Sequence, residues 1–292
     1  MTGPAGVRLR ELRARGGFFE IGARALVFVS GPDASRYLNG QLTIDVTRLE
    51  PMMARSACLL TPKGKVCVPV DVWTREGGFV LESAAVLGGT MVSRLDRYLV
   101  SDDVRIVDES TPAAGFHVFG ILPEGRNLRI DRLGCPGVDV ADEPAGRLRA
   151  TAEEIEVLRI CAGVPLWGAE IDEETLVQEA RIEERSVDFD KGCYVGQEVV
   201  SRLVSVGRVN RRLHGFRGRI ESGYSAPLAL SVPAQPDARP GELTSVAHDF
   251  ELACTVALGY LHRNFESVGR FAVSDSSGRV LGEVEKCELP IR

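Results

Sequence analysis

The sequence predicts an α+β fold that ends in a small all-β region. Strand-like runs at residues 25–30, 56–60 and 66–72 precede a segment, 83–100, in which apolar residues recur at helical spacing. Strands that occur in runs, rather than in strict alternation with helices, favour an α+β architecture over a doubly wound parallel sheet. The sequence also lacks the Gly-x-Gly-x-x-Gly turn of a dinucleotide-binding fold.

The last third of the chain has the pattern of a small barrel or sandwich. Runs at residues 271–274 and 280–284 alternate apolar and polar side chains and flank an Asp-Ser-Ser-Gly turn. Prolines interrupt the short apolar runs that precede them. We therefore predict a boundary near residue 206, with residues 1–205 on one side and a β-barrel at 206–292 on the other.

Composition excludes several classes of function. The 292 residues are 44% hydrophobic, enough to fill more than one core, and carry a formal net charge of −6. An acidic chain lacks the overall positive field that draws proteins to nucleic acid or anionic lipid, so we expect neither stable nucleic-acid binding nor a membrane partner. No apolar run approaches the length of a membrane span, and no signal-peptide pattern occurs. These features predict a cytoplasmic location.

The cysteines and histidines give no support to a metal site. Seven cysteines, an odd number, are scattered over the chain, and no Cys-x-x-Cys pair occurs. The four histidines lie far from any cysteine pair. We predict reduced thiols and no bound metal.

Residues 191–198 read K-G-C-Y-V-G-Q-E and place a thiol, an ammonium, an amide and a carboxylate within eight positions. Glycines on both sides of Cys193 allow a tight, exposed loop. The ammonium of Lys191 favours the thiolate form, which attacks electrophiles and oxidises first. The alternative is that Cys193 is a small buried apolar residue in a turn and that Lys191 is a solvated charge.

The string Lys-Gly-Cys-Tyr-x-Gly-Gln-Glu, followed by Arg202, resembles the signature of the YgfZ family of folate-binding proteins. Residues 31–46, 60–66 and 159–168 also resemble family segments, in the expected order. The resemblance implies an aminomethyltransferase-like folate-binding fold, with three domains around a central cavity and a small C-terminal β-barrel. The region before the barrel would then hold two interwoven α+β subdomains, roughly 31–109 and the remainder.

The resemblance also implies a function. It predicts a tetrahydrofolate-binding accessory protein that supports iron-sulfur cluster assembly or repair in client enzymes, including tRNA-modifying ones. Its partners would be a folate derivative and iron-sulfur client proteins. Cys193 and Lys191 are the predicted catalytic residues; the predicted cofactor-binding residues are Glu179, Tyr194, Gly196, Gln197, Glu198 and Arg202.

Individual contacts to the folate follow from its chemistry. A pterin presents an exocyclic amine and a ring N–H, which one carboxylate can bind together, and Glu179 on a helix predicted at 173–184 is the candidate. It would replace the pterin-binding glutamate of the related aminomethyltransferases, whose place Cys161 takes here. Tyr194 is preferred to Trp73 and Trp167 for stacking on the pterin. A cluster of arginines could hold the glutamate tail or remain solvated: Arg202, Arg208, Arg211 and Arg212.

The alternative function is a folate-dependent aminomethyltransferase that moves a one-carbon unit to tetrahydrofolate. Such enzymes use an aspartate after the hairpin glycines, and its place here falls at Val68 or Pro69, which accept no proton. Asp71 is near but out of register. The sequence therefore favours the accessory protein and leaves open whether a chemical step is catalysed.

Overall fold

The computed structural model describes residues 3–205, 207–232, 235 and 238–291. None of the helices in these ranges combines the length and the apolar character that a membrane span requires. The helices are α1 (Pro4–Arg15), α2 (Ala34–Gln41), α3 (Gly88–Asp96), α4 (Ala152–Ala162), α5 (Glu183–Ser186) and α6 (Gln197–Ser205). The strands are β1 (Gly16–Glu20), β2 (Arg24–Ser30), β3 (Arg55–Leu60), β4 (Val66–Arg75), β5 (Gly78–Ala84), β6 (Arg105–Asp108), β7 (Phe116–Gly120), β8 (Leu128–Arg129), β9 (Gly137–Val140), β10 (Arg211–Ile220), β11 (Leu228–Ser231), β12 (Gly241–Asp249), β13 (Cys254–His262), β14 (Arg270–Ser274) and β15 (Val280–Cys287).

The first sheet has five antiparallel strands in the order β3-β4-β5-β2-β6. Alternation along β4 sends Val68, Val70 and Val72 into a core that α2 and α3 cover. Pro69 and Asp71, at the intervening positions, line a cavity on the opposite face. The sheet is therefore covered by helices on one side and forms a cavity wall on the other.

The second sheet has the order β1-β7-β9-β8 and is joined to the first by buried ion pairs. Arg132 donates to both oxygens of Glu82 on β5, at 2.6 and 2.9 Å, and also binds Asp139 on β9. Its side chain is 9% exposed, and that of Glu82 is 3% exposed. Since Asp139 also pairs with Nδ1 of His117 on β7, the link extends across the second sheet.

The C-terminal strands form a closed barrel in the order β10-β13-β12-β11-β14-β15. Phe216 and Phe271 fill its interior, with ring centroids 6.1 Å apart in an edge-to-face arrangement. Together with the mixed sheets and helices, the barrel confirms the predicted α+β fold class. The predicted boundary falls at Val206, which lies outside the described residues, and the division into domains stays a prediction.

Two predicted helices are wrong in extent. The one predicted at 83–100 starts later, because Ser83 and Ala84 still pair with β2, and α3 begins at Gly88. The one predicted at 173–184 is mostly turns, with a helix at Glu183–Ser186 alone. Asp172 accepts bonds from the backbone of Glu174 and the hydroxyl of Thr175, and such local bonds compete with helix formation.

Replacing Arg132 with glutamine should strongly destabilise the protein. The change leaves the carboxylates of Glu82 and Asp139 without their buried counter-ion, which costs about 3–5 kcal/mol in the free energy of unfolding. Urea denaturation measures the loss. The control is Arg126→Gln in an exposed loop, which should change that free energy by less than about 0.5 kcal/mol. Equal stability of both variants would show that the ion pairs do not hold the sheets together.

Candidate functional site

A cavity of about 310 Å³ lies between the two sheets and α4. The volume is near the lower end of the range for small-molecule sites, about 300–1,000 Å³. Phe19 on β1 and Trp167, in the turn after α4, are among the residues that line it. Aromatic side chains can stack on a planar ring system.

Helix α4 connects the cavity to the barrel. It begins at a capping box formed by Thr151 and Glu154 and ends at Gly163, whose left-handed conformation (φ 75°) closes the last turn. Arg159 on this helix lines the cavity and donates to the hydroxyl of Ser245 on β12 at 2.7 Å. The cavity wall is thereby fixed against the barrel.

A row of polar side chains crosses the cavity face of the first sheet. Ser56, Asp71 and Glu82 are direct neighbours in register on β3, β4 and β5. Ser56 Oγ donates to Asp71 Oδ1 at 2.8 Å. Glu82 is already bound by Arg132 and by Arg24, whose Nε lies 2.6 Å from Oε1. Asp71 therefore stands beside a carboxylate whose charge is compensated by other residues.

The other carboxylates of the cavity wall also have cationic partners. Glu156 is bound through both oxygens by Arg159, at 2.6 and 2.9 Å. Asp131 lies 3.8 Å from Arg185. Asp71 makes no ion pair within the described part of the chain. It is the carboxyl in this wall that the protein leaves without a counter-ion.

The surroundings of Asp71 raise the pKa of its carboxyl. Burial is the largest cause, and the neighbouring carboxylate of Glu82 acts in the same direction. Arg132, the Ser56 hydroxyl and Arg185 oppose the shift without cancelling it. The side chain is inside the molecule yet reached from the cavity, which is the situation of a group that titrates with its ligand.

The motif at 191–198 is packed onto the hairpin between β3 and β4. Gly196 has φ +87°, and a Cβ there would lie 2.6 Å from the carbonyl oxygen of Thr61. The close approach of two backbones therefore requires glycine at this position. Cys193 lies at the surface, and of the seven cysteines, all of them described, it alone is exposed.

Lys191 is buried beside the exposed thiol. Its ammonium donates three hydrogen bonds to backbone carbonyls, those of Asn39 (2.9 Å), Leu42 (2.6 Å) and Ile44 (2.6 Å). Burial lowers the pKa of Lys191 to about 8, although Asp45 and Asp188 act in the opposite direction. The lysine thus fixes the turn after α2, and its predicted effect on Cys193 stays a prediction.

Cys193 opens into a separate hollow of about 190 Å³. Lys191 and Gly192 line it from the motif, and Arg36, Asn39 and Asp45 line it from the region of α2. Within the described residues, none of the eight predicted site residues contributes to the wall of the larger cavity. The structure therefore brings Cys193 and Lys191 together but separates them from the cavity.

Tyr194 and Glu179 are not among the residues that line the cavity. Tyr194 is buried in a core cluster with Cys58, which does line the cavity, and burial raises the pKa of Tyr194 to about 12. The Glu179 carboxylate accepts from the backbone N–H of Leu176 and lies 3.4 Å from Arg211. Their roles in cofactor binding stay predictions.

The remaining predicted residues lie on or beside α6. Gln197 begins this helix, and Glu198 and Arg202 point to solvent. Of the arginines considered for a folate tail, Arg208 is exposed as well. Arg212 is paired with Glu183 at 2.9 Å. The arginine cluster is thus divided between solvent and ion pairs.

Asp71, which is out of register in the sequence, lines the cavity. Of the two positions expected for the aspartate of an aminomethyltransferase, Val68 lies in the core and Pro69 in the cavity wall. Alternation along β4 gives Asp71 the same orientation as Pro69. The two-residue alternation of a β-strand therefore indicates from the sequence that Asp71 and Pro69 lie on the same face of β4. Cys161 is also absent from the described cavity wall and instead accepts a bond from Arg13 at 3.5 Å.

The fold is shared with a solved enzyme structure. The crystal structure of the glycine cleavage system aminomethyltransferase T from Bartonella henselae matches with a TM-score of 0.78, over 99% of this chain and 90% of that one, at 18% identity. The fold is therefore aminomethyltransferase-like.

Two proteins with similar sequences indicate which group of proteins with this fold the chain resembles. The chain is 28% identical to the tRNA-modifying protein YgfZ of Klebsiella pneumoniae over 226 residues, which cover 66% of this chain and 69% of that protein. It is 27% identical to the mitochondrial iron-sulfur cluster assembly factor IBA57 homolog of Phaeosphaeria nodorum over 245 residues, or 74% and 59% of the two chains. No protein-family model matches the chain. These relatives confirm the predicted resemblance to the YgfZ family.

Replacing Lys191 with methionine should lower the free energy of unfolding by about 2–4 kcal/mol, because three carbonyls lose their donor in a buried turn. Urea denaturation at pH 7 measures the change. Lys63→Met, at an exposed position of the β3–β4 turn, is the matched control and should be neutral. A Lys191→Met protein as stable as the control would contradict the structural role of this ammonium.

Proposed function

We propose that this protein binds tetrahydrofolate and supports the assembly or repair of iron-sulfur clusters in client enzymes, including tRNA-modifying ones. The observation that carries the proposal is the cavity between the two sheets, in a chain with the aminomethyltransferase-like fold. The names of the relatives, a tRNA-modifying protein and an iron-sulfur cluster assembly factor, support the cellular role. We further propose that it acts in the cytoplasm.

The residues of the cavity fit the head of a folate. Phe19 and Trp167 offer aromatic side chains, and Asp71 offers an acceptor that forms no ion pair with any described residue. A cavity of about 310 Å³ suits the bicyclic pterin better than the complete cofactor. When bound, tetrahydrofolate would supply a reduced pterin able to carry a one-carbon unit; the residues named here bind and orient it.

Cys193 is proposed as the functional thiol on a second surface. It is the exposed cysteine of the chain, and Tyr194 beside it packs in the same core as Cys58 of the cavity wall. The cavity and the thiol are therefore parts of one packed body. We propose that the thiol meets the client protein while the folate occupies the cavity.

Calorimetry with tetrahydrofolate under anaerobic conditions tests the binding. We expect saturable heat and a raised melting midpoint, since a ligand that binds only the folded state stabilises it. Trp167→Leu should weaken binding roughly three- to tenfold through loss of ring stacking. Trp73→Leu, which alters a ring in a different surface hollow, should not. Absence of saturable heat at millimolar ligand would overturn the folate proposal.

Cys193→Ser tests the thiol. In cells that depend on this protein, the variant should lose most support of an iron-sulfur tRNA-modifying enzyme, because serine forms no thiolate at neutral pH. Cys135→Ser, at a half-buried cysteine, is the control and should retain full support. Full support by Cys193→Ser would indicate a folate sensor without thiol chemistry.

A further inference from the structure

Asp71 has hydrogen-bonding capacity that the protein does not use. Oδ1 accepts from Ser56, whereas no donor reaches Oδ2 among the residues that the structure describes. Neither oxygen belongs to the sealed buried atoms that lack a partner. The free edge of the carboxyl therefore faces the space of the cavity, where a ligand can reach it.

The residues around Asp71 indicate which kind of ligand group could donate to its free oxygen. A carboxylate with a free edge binds two adjacent N–H groups bidentately, the most directional contact that an acid offers. Arg132 faces Asp71 but is fully engaged by Glu82 and Asp139, so it does not supply those donors. The rings of Phe19 and Trp167 in the same wall favour donors carried on a flat heterocycle.

We propose that the ionised carboxylate of Asp71 binds the 2-amino-4-oxopyrimidine edge of a pterin, through its exocyclic amine and the adjacent ring N–H. This inference rests on the proposed function and specifies the residue and the ligand edge within that site. It assigns the pterin contact to a strand position of the first sheet rather than to Glu179.

Binding is then coupled to protonation. The charged and titratable groups that face Asp71 are Arg132 before β9, Glu82 on β5, Arg185 on α5 and Cys58 on β3. Burial raises the pKa of Asp71, so the free protein holds this proton to a higher pH than an ordinary aspartate does. The ligand donors require the ionised form. Affinity should fall about tenfold for each pH unit below that pKa, and binding near it should release a proton.

A double-mutant cycle tests the contact. Asp71→Asn should weaken tetrahydrofolate binding by about ten- to a hundredfold, the range for a hydrogen bond to a charged group. A 2-desamino analogue of tetrahydrofolate should lose a similar factor against the wild-type protein and little further against Asp71→Asn, because both changes remove the same contact. The fall in affinity with decreasing pH that Asp71 causes should vanish in Asp71→Asn.

Asp142→Asn is the control. This exposed carboxyl lies outside the set of residues that line the cavity, so its replacement should preserve both the affinity and the pH profile. Loss of folding does not confound the test. Because its pKa is higher in the folded state than in the unfolded chain, the ionised carboxyl of Asp71 costs stability at pH 7. Asp71→Asn should therefore melt no lower than the wild-type protein.

The outcomes separate the two proposals. Tetrahydrofolate binding by the wild-type protein, together with unchanged affinity and pH profile in Asp71→Asn, would overturn the assignment of Asp71 and leave the folate site standing. If the 2-desamino analogue lost as much affinity against Asp71→Asn as against the wild-type protein, the 2-amino group would contact a residue other than Asp71. A wild-type protein that binds neither compound would overturn both proposals.

Discussion

The structure depends on the guanidinium of Arg132, which joins two sheets that share no strand. Burying one cation against Glu82 and Asp139 removes three charges from water, and each partner alone would be costly to bury. The ion pairs offset the cost of burying these charges, because the guanidinium of Arg132 donates hydrogen bonds to both carboxylates. The two sheets are thereby linked while a cavity lined by residues of both remains between them.

The same ion pairs determine the electrostatics of the cavity. Arg132 and Arg24 neutralise Glu82, and so they are not available to its neighbour on β4. Asp71 makes no ion pair among the described residues and has a hydroxyl as its partner. A buried acid in that position is costly to ionise unless a ligand brings donors. A ligand that donates hydrogen bonds to Asp71 would remove this free-energy cost of ionisation, and the cost would then contribute to binding.

The motif residues take part in backbone packing. Lys191 binds three carbonyls of another part of the chain, and Gly196 allows the motif to contact the β3–β4 hairpin. The bidentate pair of Arg55 with Asp188, at 2.6 and 3.1 Å, fixes the segment that leads into the motif. Cys193 is consequently presented from a rigid base, a requirement for any thiol that must meet a partner reproducibly.

The sequence by itself determined the features that local pattern encodes. Alternation of apolar residues located β3, β4 and the barrel hairpin β14–β15, and the letters around Cys193 identified the family resemblance. Only the tertiary structure decided which side chains meet. Arg132 and Glu82 are 50 residues apart, and Lys191 and Leu42 are 149 apart. The helix predicted at 173–184 is wrong for a different and local reason, because the hydrogen bonds of Asp172 with residues two and three positions away favour turns. Periodicity reports which face of an element is buried, whereas hydrogen-bond partners and cavity walls arise when distant elements pack together.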